Sequence, residues 1–142
     1  MERLLSTARA WIEEDPDPET REELRALVEE CADAAERVRE VYGRLNARFS
    51  GTLQFGTAGL RGELGAGPMR MNRVVVTRAA AGLAAYLSDT GHAGEAVVIG
   101  YDARKNSDVF AHDTAEVMAG AGFSAMVLPK PLPTPVDRKS VV

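Results

Sequence analysis

Two short apolar runs, "AVVIGY" over residues 96–101 and "FSAMVLP" from Phe123, flank a segment that reads as a helix. Rich in aliphatic residues and bounded by turn formers, each run reads as a strand buried in a parallel sheet. Parallel strands need a crossover, which residues 108–121 supply as a helix, with Asn106 or Ser107 placed to cap it. Strand, helix and strand within about 35 residues make a βαβ unit with a right-handed connection. The chain is therefore predicted to contain an α/β domain.

Upstream, the periodicity is helical. Residues 2–14 predict a short helix, and "DPDPETREEL" supplies a break and a new start. Asp17 suits the N-cap, Pro18 the first helical position, and Glu19, Glu22 and Glu23 the positive end of the helix dipole. Leu24, Val28, Cys31, Ala35, Val38, Tyr42, Leu45 and Phe49 then recur at alternating steps of four and three, which predicts one long helix weakened at Gly43. Its apolar seam is expected to dock on the chain's own domain, with a coiled coil as the alternative. Val74–Ser88 predicts a further helix ending near Gly91. The organisation is thus a helical extension over 1–50 and an α/β domain over 51–136. The last six residues, "DRKSVV", do not continue this grammar. Ordinary codons for them resemble the start of a common sequencing adapter, so 137–142 are expected to be a non-native tail.

The 142 residues carry a formal charge of −4 with both signs interspersed, which gives no field to attract nucleic acid or an anionic membrane. No apolar run reaches the length of a spanning helix, and the acidic N-terminus does not suit a signal peptide, so the expected location is cytoplasmic. The single cysteine, Cys31, falls at an apolar helical position and is expected to pack rather than react.

Chemistry concentrates in two places. In "LQFGTAGLRGELGAG", Leu53–Gly67, glycines surround Arg61. Gly56, Gly59 and Gly62 permit close backbone approaches, so Thr57, nearby N–H groups and Arg61 could converge on one phosphate; a structural turn is the alternative. The stretch is not a Walker loop or a dinucleotide fingerprint. The second place is "YDARKNS", after the first strand, where Asp102, Arg104 and Lys105 stand at the carboxyl end of a sheet, with Lys130 after the second strand. Arg104 precedes a helix N-terminus, a favourable position for an anion, although Asp102 could instead cap a turn while Arg104 pairs with a carboxylate. His92 and His112 belong to no nucleophile–base pattern, and no acidic cluster marks a metal site.

"FGTAGLRG", followed in order by "VVIGYDARKNS" and "PLPTPV", resembles the start of the α-D-phosphohexomutases, the phosphoglucomutase and phosphomannomutase superfamily. The acidic helical extension is most similar to the branch that includes phosphoglucomutases and phosphopentomutases. The resemblance implies that residues 51–136 are the incomplete first three-layer α/β/α domain of a four-domain phosphotransferase. Such enzymes interconvert sugar 1-phosphates with 6-phosphates, or 5-phosphates for pentoses, through a phosphoserine and a bisphosphate intermediate. It implies that Arg61, Thr57 and Gly59 shape a phosphate and substrate loop, and that Asp102 and Arg104 support the catalytic loop. Mg2+ and a sugar bisphosphate activator are implied for the full-length parent, with neither held by this chain. The catalytic Thr-Ala-Ser-His-Asn-Pro loop and the Asp-x-Asp-x-Asp metal loop are missing, and Ser140 lacks every neighbour of the former. No catalytic residue is therefore expected in this chain, which alone should be inactive. The partner implied is a phosphosugar, and the sugar and the oligomeric state stay open. The alternative is a stand-alone phosphate-binding or protein-interaction module.

Overall fold

The computed structural model describes residues 2–33, 38–57 and 59–132. The chain divides into two compact units, Met1–Val75 and Val76–Val142. The expected tail, 137–142, and "PTPV" of the third motif lie outside the described residues.

The first unit is built on three helices, α1 (Glu2–Glu14), α2 (Pro18–Asp33) and α3 (Val38–Phe49). Between α1 and α2 the chain turns on Asp15. Its buried carboxylate accepts the Asp17 N–H at 3.0 Å and the Thr20 hydroxyl at 2.8 Å. Asp17 caps α2 as predicted: its Oδ1 accepts the Glu19 N–H at 2.9 Å and its carbonyl accepts the Arg21 N–H at 3.0 Å. Pro18 opens the helix where a missing N–H costs nothing.

The single long helix predicted from residue 18 to 49 does not form. In one continuous helix, Glu23 and Arg48 would stand about 37 Å apart at 1.5 Å per residue. Instead Arg48 Nη2 lies 2.6 Å from Glu23 Oε1, and Arg44 Nη1 lies 2.8 Å from Glu30 Oε2. These two pairs run in opposite chain directions, so α3 is folded back antiparallel on α2. The physical reason is burial. A lone seam has nothing to close on, whereas the folded-back arrangement packs Leu24, Leu27 and Val28 with Val41, Leu45 and the Ala8, Trp11 and Ile12 face of α1. Each large aliphatic side chain so buried contributes roughly 1.5–3 kcal/mol. The seam also shifts by one residue, since Val41 is fully buried and Tyr42 only partly. Ala35, predicted to lie in that seam, is outside the described residues, while Gly43 sits inside α3.

Trp11 meets Phe49 edge to face, with centroids 6.0 Å apart at 89°. Cys31 packs against the edge of this core. Burial, and then the Glu30 carboxylate, push its thiol above the usual 9.0 against an opposing effect of Arg44. Beyond α3 the glycine-rich stretch forms a hairpin of β1 (Phe55–Gly56) and β2 (Gly59–Leu60), antiparallel, with Phe55 opposite Leu60 and Gly56 opposite Gly59.

The boundary between the units falls inside α4 (Arg73–Asp89). The second unit continues with β3 (Ala96–Ile99), α5 (Ser107–Gly120) and β4 (Ser124–Val127). β3 and β4 pair in parallel, from Ala96 opposite Ser124 to Ile99 opposite Val127, which is the strand–helix–strand unit read from the sequence. α5 stops by a left-handed glycine: Gly122 has φ 91°, its N–H donates to the Ala119 carbonyl and the Phe123 N–H to the Met118 carbonyl, both at 3.0 Å. That turn drops Phe123 onto Met118, and both join Ala84 in a buried cluster with Leu87, Val97 and Ala125 around it. Val97 and Ala125 are cross-strand partners, so this cluster covers one face of the sheet. On the other face Val98 and Met126 are also partners and are 51% and 49% exposed. The expected α/β class and helical extension are present.

Candidate functional site

The loop that carries Arg61 is tied to the helical extension by a small polar network. Glu23 and Arg48, on neighbouring helices, both reach Ala66. Arg48 Nη2 donates to Glu23 Oε1 at 2.6 Å, Arg48 Nη1 donates to the Ala66 carbonyl at 3.1 Å, and the Ala66 N–H donates to Glu23 Oε2 at 3.0 Å. Arg48 also accepts the Met69 N–H on its backbone carbonyl at 3.1 Å. Gly67 permits this approach. With φ 101°, a Cβ there would stand 2.9 Å from Arg48 Cβ, so only glycine fits.

Asn72 holds the other end of the loop. It is 2% exposed, and its Nδ2 lies 2.8 Å from the Gly65 carbonyl, 2.9 Å from that of Gly67 and 3.2 Å from that of Arg70. Its Oδ1 accepts the Val75 N–H at 3.0 Å, which makes it the N-cap of α4. Neither Arg48 nor Asn72 stood out in the sequence, and Glu23 was read only as a dipole partner. A signal for Asn72 existed: an asparagine just before "RVVVTRAA" is a helix-start signature.

The hairpin directly precedes these anchors in the chain. Thr57 is at its turn, Gly59 opens β2 with φ 85°, and Arg61 follows β2 directly; all three are exposed. Among the described residues no carboxylate or hydrogen-bond partner engages Arg61. The nearby Glu63 is instead turned to Arg70, with Nε–Oε2 3.3 Å. One and the same segment therefore bears Thr57, Gly59 and Arg61, although no hydrogen bond links Thr57 to Arg61 among the described residues.

Asp102 and Arg104 belong to the second unit. Asp102 Oδ1 accepts the Arg104 N–H at 3.1 Å and Oδ2 accepts from Arg104 Nε at 2.7 Å. The Arg104 N–H, then the Ser107 hydroxyl and the Arg104 side chain, hold the Asp102 carboxyl below its usual 3.8, against some desolvation. The Arg104 guanidinium is thus paired with a carboxylate while it remains largely exposed. Of the two residues expected to cap α5, Asn106 holds the N-cap position but accepts no side-chain cap hydrogen bond, and Ser107 is the first residue of the helix. Asn106 sits at φ 64°, ψ 5°, away from the β-region backbone an N-cap uses, and the Ser107 hydroxyl accepts the Asp102 N–H at 3.2 Å instead. Tyr101, Asp102, Arg104, Ser107, Leu128 and Leu132 line a depression of about 160 Å³ at the carboxyl ends of β3 and β4. That volume is below the roughly 300 Å³ of a small-molecule pocket, so it accommodates at most part of a ligand. Lys105 and Lys130 are exposed. His92 Nδ1 lies 3.1 Å from Glu95 Oε1 at the surface, and His112 is exposed. Among the described residues no three His, Cys, Asp or Glu side chains gather into a metal-binding group, and no helix is long and apolar enough to cross a membrane.

Comparison with known proteins extends this geometry. Residues 52–141 match the family model described as phosphoglucomutase/phosphomannomutase, alpha/beta/alpha domain I. The chain is 65% identical over 69 residues to the "Probable phosphomannomutase" of Haemophilus influenzae, covering 48% of this chain and 14% of that protein. It is 36% identical over 118 residues to the phosphoribomutase of Saccharomyces cerevisiae, covering 83% of this chain and 18% of the relative. With the phosphoglucomutase of Staphylococcus saprophyticus it shares 43% over 82 residues, 58% of this chain and 15% of that one. The chain thus spans less than a fifth of the length of these relatives. No solved structure matches it.

Proposed function

The chain belongs to the phosphoglucomutase/phosphomannomutase family, in which it supplies α/β/α domain I, and on that premise we propose that it is the entry domain of a phosphosugar mutase. The reaction is an intramolecular phosphoryl shift in carbohydrate metabolism, between the 1-phosphate and the 6-phosphate of a hexose or the 5-phosphate of a pentose. A phosphoserine outside residues 1–142 gives its phosphoryl group to the sugar monophosphate. The bisphosphate turns over and returns its other phosphoryl group to the serine, so phosphate and charge balance over the cycle. The relatives' names, phosphomannomutase, phosphoribomutase and phosphoglucomutase, support the phosphosugar class and leave the sugar open.

The observation that carries this reading is Arg61. An exposed guanidinium that no carboxylate engages among the described residues, directly after a glycine hairpin and before a loop held at Ala66 and Asn72, is free to pair two N–H donors with a phosphoryl oxygen pair. Such a group offsets charge on a transferring phosphoryl, where catalysis rests on positioning and electrostatics. Thr57 and Gly59 shape the same hairpin. Asp102, by locking Arg104 and the turn before α5, supports a neighbouring loop and does not itself touch substrate. Mg2+, which the family generally uses, would offset further phosphoryl charge when bound. We place the metal and a sugar bisphosphate activator with the remainder of a cytoplasmic parent enzyme.

The test is kinetic. Full-length protein from the source locus should convert glucose 1-phosphate, mannose 1-phosphate or ribose 1-phosphate. Arg61→Ala should lower kcat/KM by about 100-fold or more, as loss of a charge-stabilising donor does, with Arg61→Lys recovering part of it. Full activity in Arg61→Ala would remove Arg61 from the site. Absence of turnover with all three sugars would argue instead for a binding module.

A further inference from the structure

We propose that Glu23 and Arg48, on the helical extension, are positioning residues for the phosphate loop, so that the extension is part of the site's machinery. The inference rests on the reading of Arg61 as a phosphate group and goes beyond it by assigning a role to α2 and α3.

Three observations join the pair to Arg61. First, Arg48 and Glu23, themselves paired at 2.6 Å, bind both polar groups of Ala66, the carbonyl at 3.1 Å and the N–H at 3.0 Å. A two-point grip fixes orientation as well as distance, which one ion pair does not. Second, the Arg48 carbonyl holds the Met69 N–H, and the next residue back, Pro68, accepts the Leu53 N–H at 3.0 Å. Third, Leu53 packs onto the residue after Arg61, for a Cβ on Gly62 would stand 2.8 Å from Leu53 Cδ1. The register of the hairpin base is thus transmitted from α3 through residues 66–69 to Leu53 and on to Gly62. The pair is also partly shielded, with the Arg48 side chain 17% exposed, so solvent screens it less than an ordinary surface ion pair. Among the described residues no side chain engages Arg61, so its position rests on the hairpin pairing beside it and on these contacts.

The test uses the 142-residue chain with inorganic phosphate as probe, read by NMR at the Arg61 side-chain Nε–H and at the loop amides. Thermal melts check folding. The native chain should show saturable shifts at Arg61. Arg48→Met should weaken phosphate binding by about tenfold or more, because a small displacement of a positioned group is costly. Glu23→Gln, which keeps an acceptor but removes the charge, should weaken it less, and Arg48→Lys should restore only part because it cannot grip two groups. If Arg48→Met fails to fold, Glu23→Gln decides, and it should raise exchange at the Ala66 and Met69 amides while leaving α1 and α2 amides unchanged. Native affinity in a folded Arg48→Met, or in Glu23→Gln when that variant decides, would overturn the positioning role and leave the phosphate reading standing. Absence of any Arg61 response in the native chain would overturn both.

Discussion

Asn72 shows how much one side chain settles. Its amide supplies a helix cap through Oδ1 and crosses the loop through Nδ2, so each end of the group has a different task. Asn72→Ala should cost about 2–4 kcal/mol, from the lost cap and the orphaned buried carbonyls of Gly65 and Gly67. Asn72→Asp is the sharper case. Aspartate is an equally good cap, yet it turns a donor toward carbonyl oxygens into an acceptor, so it should be no more stable than the alanine variant in urea denaturation. Near-native stability of Asn72→Asp would mean that the cap alone matters. Asp102 makes a pH prediction of definite sign. Because its folded carboxyl lies below the usual 3.8, its contribution is present above that value and disappears as pH falls through the folded value. The stability gap between native protein and Asp102→Asn should stay flat from neutral pH to about 5 and then shrink on acidification. A gap that widened in acid would contradict the hydrogen-bond pattern around Arg104.

Among the elements, those fixed by local chemistry were legible in advance and those fixed by distant partners were not. The Asp17–Pro18 start of α2, the strand–helix–strand order and the glycine end of α4 follow from residues a few positions apart. The break between α2 and α3 follows from a core shared with α1, which no periodicity within residues 18–49 contains. Likewise Thr57, Gly59 and Arg61 share one short stretch, while the grip on Ala66 joins residues 43 positions apart and leaves no local trace. The helix ends offer a test of the local kind. Gly122 is left-handed with open space around its missing Cβ, so Gly122→Ala should cost only the backbone strain, about 1–2 kcal/mol. A loss well beyond that would mean that the turn placing Phe123 against Met118 had failed as a whole.

At the scale of the molecule, the second unit presents one covered and one uncovered sheet face. Val98 and Met126 lie side by side, half exposed, on strands of the type that parallel sheets bury on both sides. The relatives are at least five times the length that the chain matches, since the matched share is 14–18% of each. Both facts agree with the proposal that a longer parent protein completes the domain beyond Val136. The most direct measurement is to sequence the source locus across that residue. The predicted result is an open frame that runs on from "PLPTPV" into a Thr-Ala-Ser-His-Asn-Pro loop. An in-frame stop directly after Val142 would contradict the mutase reading and leave a phosphate-binding module in its place.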